Sequence, residues 1–371
     1  MTGISFPFIM KQIIILFFIF LCSAAIAVSP AFAEDIEGNT RVVTDLAGLK
    51  IEIPYDATYA TLGGPLTQLP YVFGAGDAIV AISAGADNPI MHRLDPKSIE
   101  KPVVRNGMTN INVEELLKAA PSAAIAYLPD GQLVSGKTDI PVFYFTGSMS
   151  DSFDDFRHQM LVMGEFFNNP EAGERYNQYF DDMLAMIDER IGDIPREERT
   201  VVFIGEGQNH LASLGGDTFV SALIEAGGAL NAVKEISSAS GKEEGLHSGF
   251  TEVTMEDVIG ANPDIIIIDT GSIEDIQNEE RWKSIEAVKS NNIFIRPSGV
   301  YTWSRPTAES AVLFPLYIAY MAYPERFEDM SLIEEFKTFY LEIFNVELTD
   351  EEISNIISGY YTITFPDGQH G

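Results

Sequence analysis

The sequence predicts an α/β protein of two Rossmann-like lobes, each built on a parallel sheet, joined by a long rigid helix and leaving a ligand cleft between them. Three observations predict it. Short β-rich runs alternate with helical runs along most of the chain, which is the pattern of parallel sheets covered by helices. Some runs are continuously apolar, Ile265-Ile266-Ile267-Ile268 above all, as in strands buried on both faces. Near the middle, Tyr176, Phe180, Met183, Leu184, Ile187 and Ile191 recur at helical spacing.

The first lobe is expected over 41–148, with strands near Ala60-Thr61-Leu62, Ile79 to Ser83, Ala123 to Leu128 and Val142 to Phe145. Helices fall between them at Leu66 to Phe73 and Val113 to Ala119. A linking helix is expected over 149–196, with Asn168-Asn169-Pro170 interrupting it and Pro170 opening a second segment. Such a link tilts the lobes by small amounts rather than swinging them wide. The second lobe, 197–345, carries strands at Thr200 to Ile204, Ile265 to Asp269 and Ile293 to Arg296. Its helices are Thr218 to Ala226, Met255 to Ile259 and Thr307 to Tyr320. Residues 346–371 are read as an acidic tail.

At the amino end, Lys11 is followed by an apolar run and then by Ser29-Pro30-Ala31-Phe32-Ala33, so residues 1–33 are read as a signal peptide cut after Ala33. Leu21 before Cys22 does not fit a lipid-modified cysteine. Cys22 is the sole cysteine and would leave with the signal, so the mature chain forms no internal disulfide and uses no thiolate. The 371 residues, 46% of them hydrophobic, suffice for two domains. A net charge of −32 repels nucleic acid and anionic lipid, and an anionic ligand would need a local cationic site.

The two lobes echo each other in one segment. Asn112-Val113-Glu114-Glu115-Leu116-Leu117 leads to Pro121 and a strand, and Thr254-Met255-Glu256-Asp257-Val258-Ile259 leads to Pro263 and a strand. Each has a polar cap, a first-turn glutamate and a Pro that stops the helix. By themselves these glutamates could serve only the helix dipoles.

With these echoes, the opening Val43-Thr44-Asp45-Leu46-Ala47-Gly48, the loop and helix from Leu62-Gly63-Gly64-Pro65-Leu66-Thr67 to Gly76-Asp77, and Gly215-Gly216-Asp217-Thr218-Phe219 to Asn231, the chain resembles a known family. These are the helical-backbone substrate-binding proteins that deliver ferric siderophores, cobalamin, haem and some oxyanions to ABC importers. The resemblance implies a monomeric receptor in the periplasm or at the outer face of the cytoplasmic membrane, with no enzymatic activity and no cofactor. It further implies that Glu114 and Glu256, one per lobe, dock onto arginines of the membrane permease. The zinc and manganese receptors of the same fold rely on converging histidines. Here His92, His158, His210, His247 and His370 are scattered, so no bare metal site is expected.

Loops after strands are the ligand candidates. Gly64, Pro65 and Leu66 follow a strand and open a helix, which suits either an anion at exposed N–H groups or merely a tight turn. Arg105 and Asn106 precede another helix and supply a cation. Gly205-Glu206-Gly207-Gln208-Asn209-His210 follows a strand, but His210 stands where a dinucleotide loop needs its third glycine. In Pro297 to Pro306, Tyr301 and Trp303 could pack on a ring or chelate face while Arg305 pairs with an oxyanion; the three share one side if the segment is extended. Alternatively, Trp303 is a core aromatic and Arg305 a structural ion-pair partner. A ferric chelate, corrinoid or haem-like ligand leads, with molybdate or tungstate as the other binding hypothesis. Gly131-Gln132-Leu133-Val134-Ser135-Gly136-Lys137-Thr138 matches the phosphate-loop pattern, but it leads through Pro141 into a strand rather than straight into a helix.

Overall fold

The β-rich runs of the first half pair into a six-stranded sheet in the order Asn110–Ile111, Val103–Asn106, Ile79–Ser83, Tyr59–Leu62, Ala123–Ala126 and Val142–Tyr144. Only the short Asn110–Ile111 strand runs antiparallel. In this computed structural model the described residues are 39–85, 88–106, 110–145, 152–238, 250–269, 273–303 and 305–361. The expected signal segment, 1–33, lies outside them. Among the described residues no helix is long and apolar enough to cross a membrane.

The second sheet is parallel throughout, in the order Leu230–Asn231, Val201–Gly205, Ile265–Ile268 and Ile293–Ile295. Its isoleucine run explains itself by the period of two. Ile265 and Ile267 enter the main core, while Ile266 and Ile268 enter a second cluster with Phe203 and Trp282. In both sheets the strand order reverses beside the first strand of the lobe. In such sheets ligands bind outside the carboxyl ends at that switch point. That rule selects the residues after Tyr59–Leu62 and Ala123–Ala126 in the first lobe, and those after Val201–Gly205 and Ile265–Ile268 in the second.

The link is two helices packed against each other rather than one rod. Phe153–Phe166 ends at Asn168, which takes a left-handed φ of 58°, and Asn169 caps Pro170–Ile191 through a bond from the Ala172 N–H. Phe153 and Phe156 pack edgewise on Phe180, and Arg157 pairs with Asp181 at 2.6 Å. The longer helix leans on the second lobe, where the Tyr176 hydroxyl donates to the Ala308 carbonyl at 2.7 Å. The shorter one is tied to the first lobe. Arg41, from a hairpin of Thr40–Thr44 with Lys50–Pro54 that the sequence reading lacked, caps its last carbonyls at Glu165 and Phe166.

The stretch read as an acidic tail contains a packed helix, Asp350–Ile357, opened by a Thr349/Glu352 capping box. Ile353 and Ile356 are fully buried, so one apolar stripe docks the helix while its acidic side faces solvent. This segment touches both lobes. Arg93 of the first lobe pairs with Glu352 at 2.9 Å and donates to the Glu347 carbonyl, while the Ser298 N–H of the second lobe donates to Ile356.

Candidate functional site

Each lobe brings an arginine from the end of a strand and holds it with a carboxylate. Arg105 is the penultimate residue of Val103–Asn106, and its Nε lies 2.7 Å from Asp130, in the helix Leu128–Ser135. Arg296 follows Ile293–Ile295, pairs with Glu206 and donates to Thr302 at 3.1 Å. Both guanidinium groups are buried. Burial, and then the charge of Arg305, pull the Arg296 pKa down, against Tyr301, while Glu206 is its ion-pair partner.

The segment after Arg296 is not extended. Ser298 and Thr302 form an antiparallel bridge and the Gly299 N–H bonds the Tyr301 carbonyl, so the chain turns back on itself. The turn separates residues that an extended segment would have put on one side. Trp303 is fully buried against Phe314 and Phe336, in the core rather than on a cleft wall. Tyr301 instead meets the first lobe, where a Cβ on Gly64 would run into its ring. Arg305 lies over the Phe250 ring with its guanidinium carbon 4.4 Å from the centroid.

Around that contact the site assembles. Burial pushes the Tyr301 phenol up, and the charges of Arg305, Arg105 and Arg296 pull it back. Tyr127, after Ala123–Ala126, is raised by burial and by Tyr301, against Arg105 and Arg305. Burial lowers the Arg305 pKa while Tyr301, Tyr127 and Asp269 support its charge. Tyr127 and Tyr301, one from each lobe, pack against the adjacent Gly63 and Gly64, and with Arg105 and Arg305 they are buried groups in a setting where charge-assisted bonds to an anion are strong.

The turn at Gly64 contributes shape, and the N–H groups that follow it are used within the turn. Pro65 has no N–H, and the N–H groups of Leu66 and Thr67 close the turn onto Gly63 and Gly64. Pro65 and Leu66 are buried, and Asn106 is exposed at the sheet edge, paired with Asn110. His210 is buried in a left-handed conformation, φ 55°, with its Nδ1 unbonded. Burial lowers its pKa, and Asp269 opposes that most. Asp269 thus supports the charged form of both His210 and Arg305. Among the described residues no group of three or more His, Cys, Asp or Glu side chains could hold a metal. The phosphate-loop pattern falls in the helix Leu128–Ser135 and its cap at Gly136, where no loop exists to cradle phosphate.

A further buried group holds the turn. Glu309 accepts from the Val300 N–H at 2.9 Å, more weakly from Tyr301 at 3.4 Å, and from the Tyr340 hydroxyl at 2.5 Å. The Trp303 indole N–H faces the same carboxylate without a well-formed hydrogen bond. Burial raises its pKa to about 7, although the hydrogen bonds oppose that. Two bonds join this turn and its helix to the first lobe. The Glu309 N–H donates to Gln68 Oε1 at 3.1 Å, and Asn88 donates to the Val300 carbonyl at 2.8 Å. Tyr127, Asp130, Glu206, Asp269, Arg296 and Glu309 were not singled out in the sequence. Their signal is position just after strands, or at the start of the following helix, beside a switch point that only the strand order reveals.

Outside this region, Glu114 and Glu256 sit in the first turns of Val113–Ala119 and Met255–Ala261, both exposed. Glu114 pairs with Lys118 at 3.1 Å.

Comparison with known proteins places this geometry in a family. Over 331 residues, 82% of this chain and 91% of the relative, the sequence is 22% identical to the molybdate-binding protein MolA of Haemophilus influenzae. The structure of that protein bound to molybdate superposes with a TM-score of 0.69 at 19% identity, covering 83% of this chain and 99% of the other. A periplasmic solute-binding protein of Veillonella parvula superposes with a TM-score of 0.71 at 25% identity, covering 87% and 98%. A vitamin B12-binding protein of Vibrio cholerae is 29% identical over 111 residues, 29% of this chain and 37% of its own length. These relatives are binding proteins, and residues 60–299 match the family model described as periplasmic binding protein, with two lobes and a helical link as the sequence led one to expect: the chain belongs to the periplasmic binding protein family.

Proposed function

We propose that this chain is the exported receptor of an ABC importer and that it captures a compact oxyanion of the molybdate or tungstate kind. The observation that carries the reading is the convergence of Arg105 and Arg305 with Tyr127 and Tyr301, one of each from either lobe, all nearly buried. In a chain of net charge −32, cations gathered in one buried place favour an anion there. Tight burial suits a small tetrahedral ion better than a broad chelate ring, and the similarity to MolA points the same way. The test is calorimetry on the purified mature protein with molybdate, tungstate, sulfate and phosphate. Micromolar or tighter binding of the first two, with the others far weaker, supports the reading; no binding to any of the four sinks it.

One observation favours the ferric chelate, corrinoid or haem-like class instead. His210 presents a buried, unbonded Nδ1 just after the strand Val201–Gly205, a nitrogen able to take a coordination position on a chelated iron. Iron copurifying with the protein from its own host, and lost in His210→Ala, would select that class. Delivery in either case uses the exposed Glu114 and Glu256 against a basic permease surface, and Glu114→Gln with Glu256→Gln is expected to depress uptake while leaving ligand affinity unchanged.

A further inference from the structure

The helices carrying the two glutamates are the same device built twice. A constant offset of 142 positions relates them. Asn112 and Thr254 each cap the helix by accepting from the third N–H, from Glu115 at 3.1 Å and Asp257 at 3.2 Å. Leu116 and Val258 are both fully buried. Ala120 and Asn262 both end the helix left-handed, at φ 47° and 43°, and a Pro follows each before the strand. Equivalent positions therefore point the same way in both lobes.

One pair of equivalents is apolar and exposed in both copies. Leu117 and Ile259 stand 52% and 43% exposed, and only eight large apolar side chains among the described residues are exposed at all. A single exposed aliphatic needs no explanation. Two at matched positions, each three residues after the glutamate and so on its face of the helix, do need one. The copies differ in one respect. Lys118 pairs with Glu114 and Glu115, whereas Gly260 stands in its place and leaves Glu256 with no ion-pair partner among the described residues.

We infer that Leu117 and Ile259 are the apolar half of a duplicated docking surface, and that its partner is a two-fold repeated membrane permease offering an apolar pocket rimmed by cations to each lobe. This rests on the delivery reading above and adds the aliphatic contact to it. Charge complementarity identifies the partner's rim as basic, and the repetition identifies its symmetry. The aliphatic contact holds the complex once formed, since apolar burial is indifferent to salt, while the glutamates speed the encounter.

Two double variants separate the roles: Leu117→Ser with Ile259→Ser, and Glu114→Gln with Glu256→Gln. Binding of each to the host's permease–ATPase complex in lipid nanodiscs is measured at about 0.05 M and about 0.5 M salt. The serine pair is expected to bind about tenfold more weakly at both, with ligand affinity and melting temperature unchanged. The glutamine pair is expected to lose affinity at low salt only. Wild-type docking by the serine pair beside a weakened glutamine pair overturns the inference and leaves the delivery reading standing. Wild-type docking by both pairs overturns both. Loss in the serine pair alone keeps the apolar contact and removes the role of the glutamates.

Discussion

The two sides of the cleft are built on different principles. The first-lobe turn from Gly63 to Gln68 is closed by the N–H groups of Leu66 and Thr67 and offers a shape, a glycine surface against which Tyr301 fits. The second-lobe segment from Arg296 to Glu309 has no such economy of composition. It carries two buried arginines, a phenol, a buried indole and a buried carboxylate, and one short turn sorts them between core and site. One side can therefore be read from residue type, because Gly and Pro restrict or free the backbone directly. The other cannot, because its roles depend on a turn that places Tyr301 and Trp303 in different surroundings.

If the sorting is right, the second-lobe residues should fail in different ways. Trp303→Ala should destabilise the protein by about 3–5 kcal/mol in urea unfolding, as removal of a fully buried indole does. A variant of wild-type stability with lost ligand affinity would return Trp303 to the cleft wall. Arg305→Ala should weaken anion binding by about 2–4 kcal/mol in calorimetry while the ligand-free melting temperature stays nearly constant. Unfolding of that variant with affinity intact would make the arginine structural.

The first-lobe side predicts a purely steric effect. Gly64→Ala should weaken binding by about 1–3 kcal/mol, because the Tyr301 ring has to move. Silence at this position would remove the shape role. The smallest effect concerns Glu309. Its carboxyl keeps its proton in the folded chain up to about 7, against 4.5 ordinarily, so its contribution to stability is complete below about 4.5 and is lost as pH rises through about 7. Glu309→Gln, which is always neutral, should gain stability relative to wild type between about pH 5 and about pH 7.5 in paired urea titrations. Parallel curves would mean that the wild-type carboxylate is ionised throughout.

What was legible in the sequence follows from this contrast. Ile265–Ile268 announced a two-sided strand, and Asn169-Pro170 announced a helix start, because both are local statements about backbone and period. The echoed caps at Asn112 and Thr254 were legible for the same reason. The amphipathic, acidic character of the tail was legible, but the docking of Asp350–Ile357 through Ile353 and Ile356 was not. Tyr127, Asp130 and Glu309 were hidden more deeply. Their local signal, a place just after a strand or at the start of a helix, is shared by many residues, and they matter only because strand order and the lobe contact bring distant segments together.

The terminal helix deserves a mechanical reading. Covalently, the chain passes between the lobes through the helical pair over 153–191; Asp350–Ile357 adds a noncovalent strap, gripping Arg93 on one side and Ser298 on the other. The strap ends one residue-to-residue bond from the segment that carries Tyr301. A fusion partner or a cut placed near residue 345 would thus tug on the candidate ligand site from the far end of the molecule.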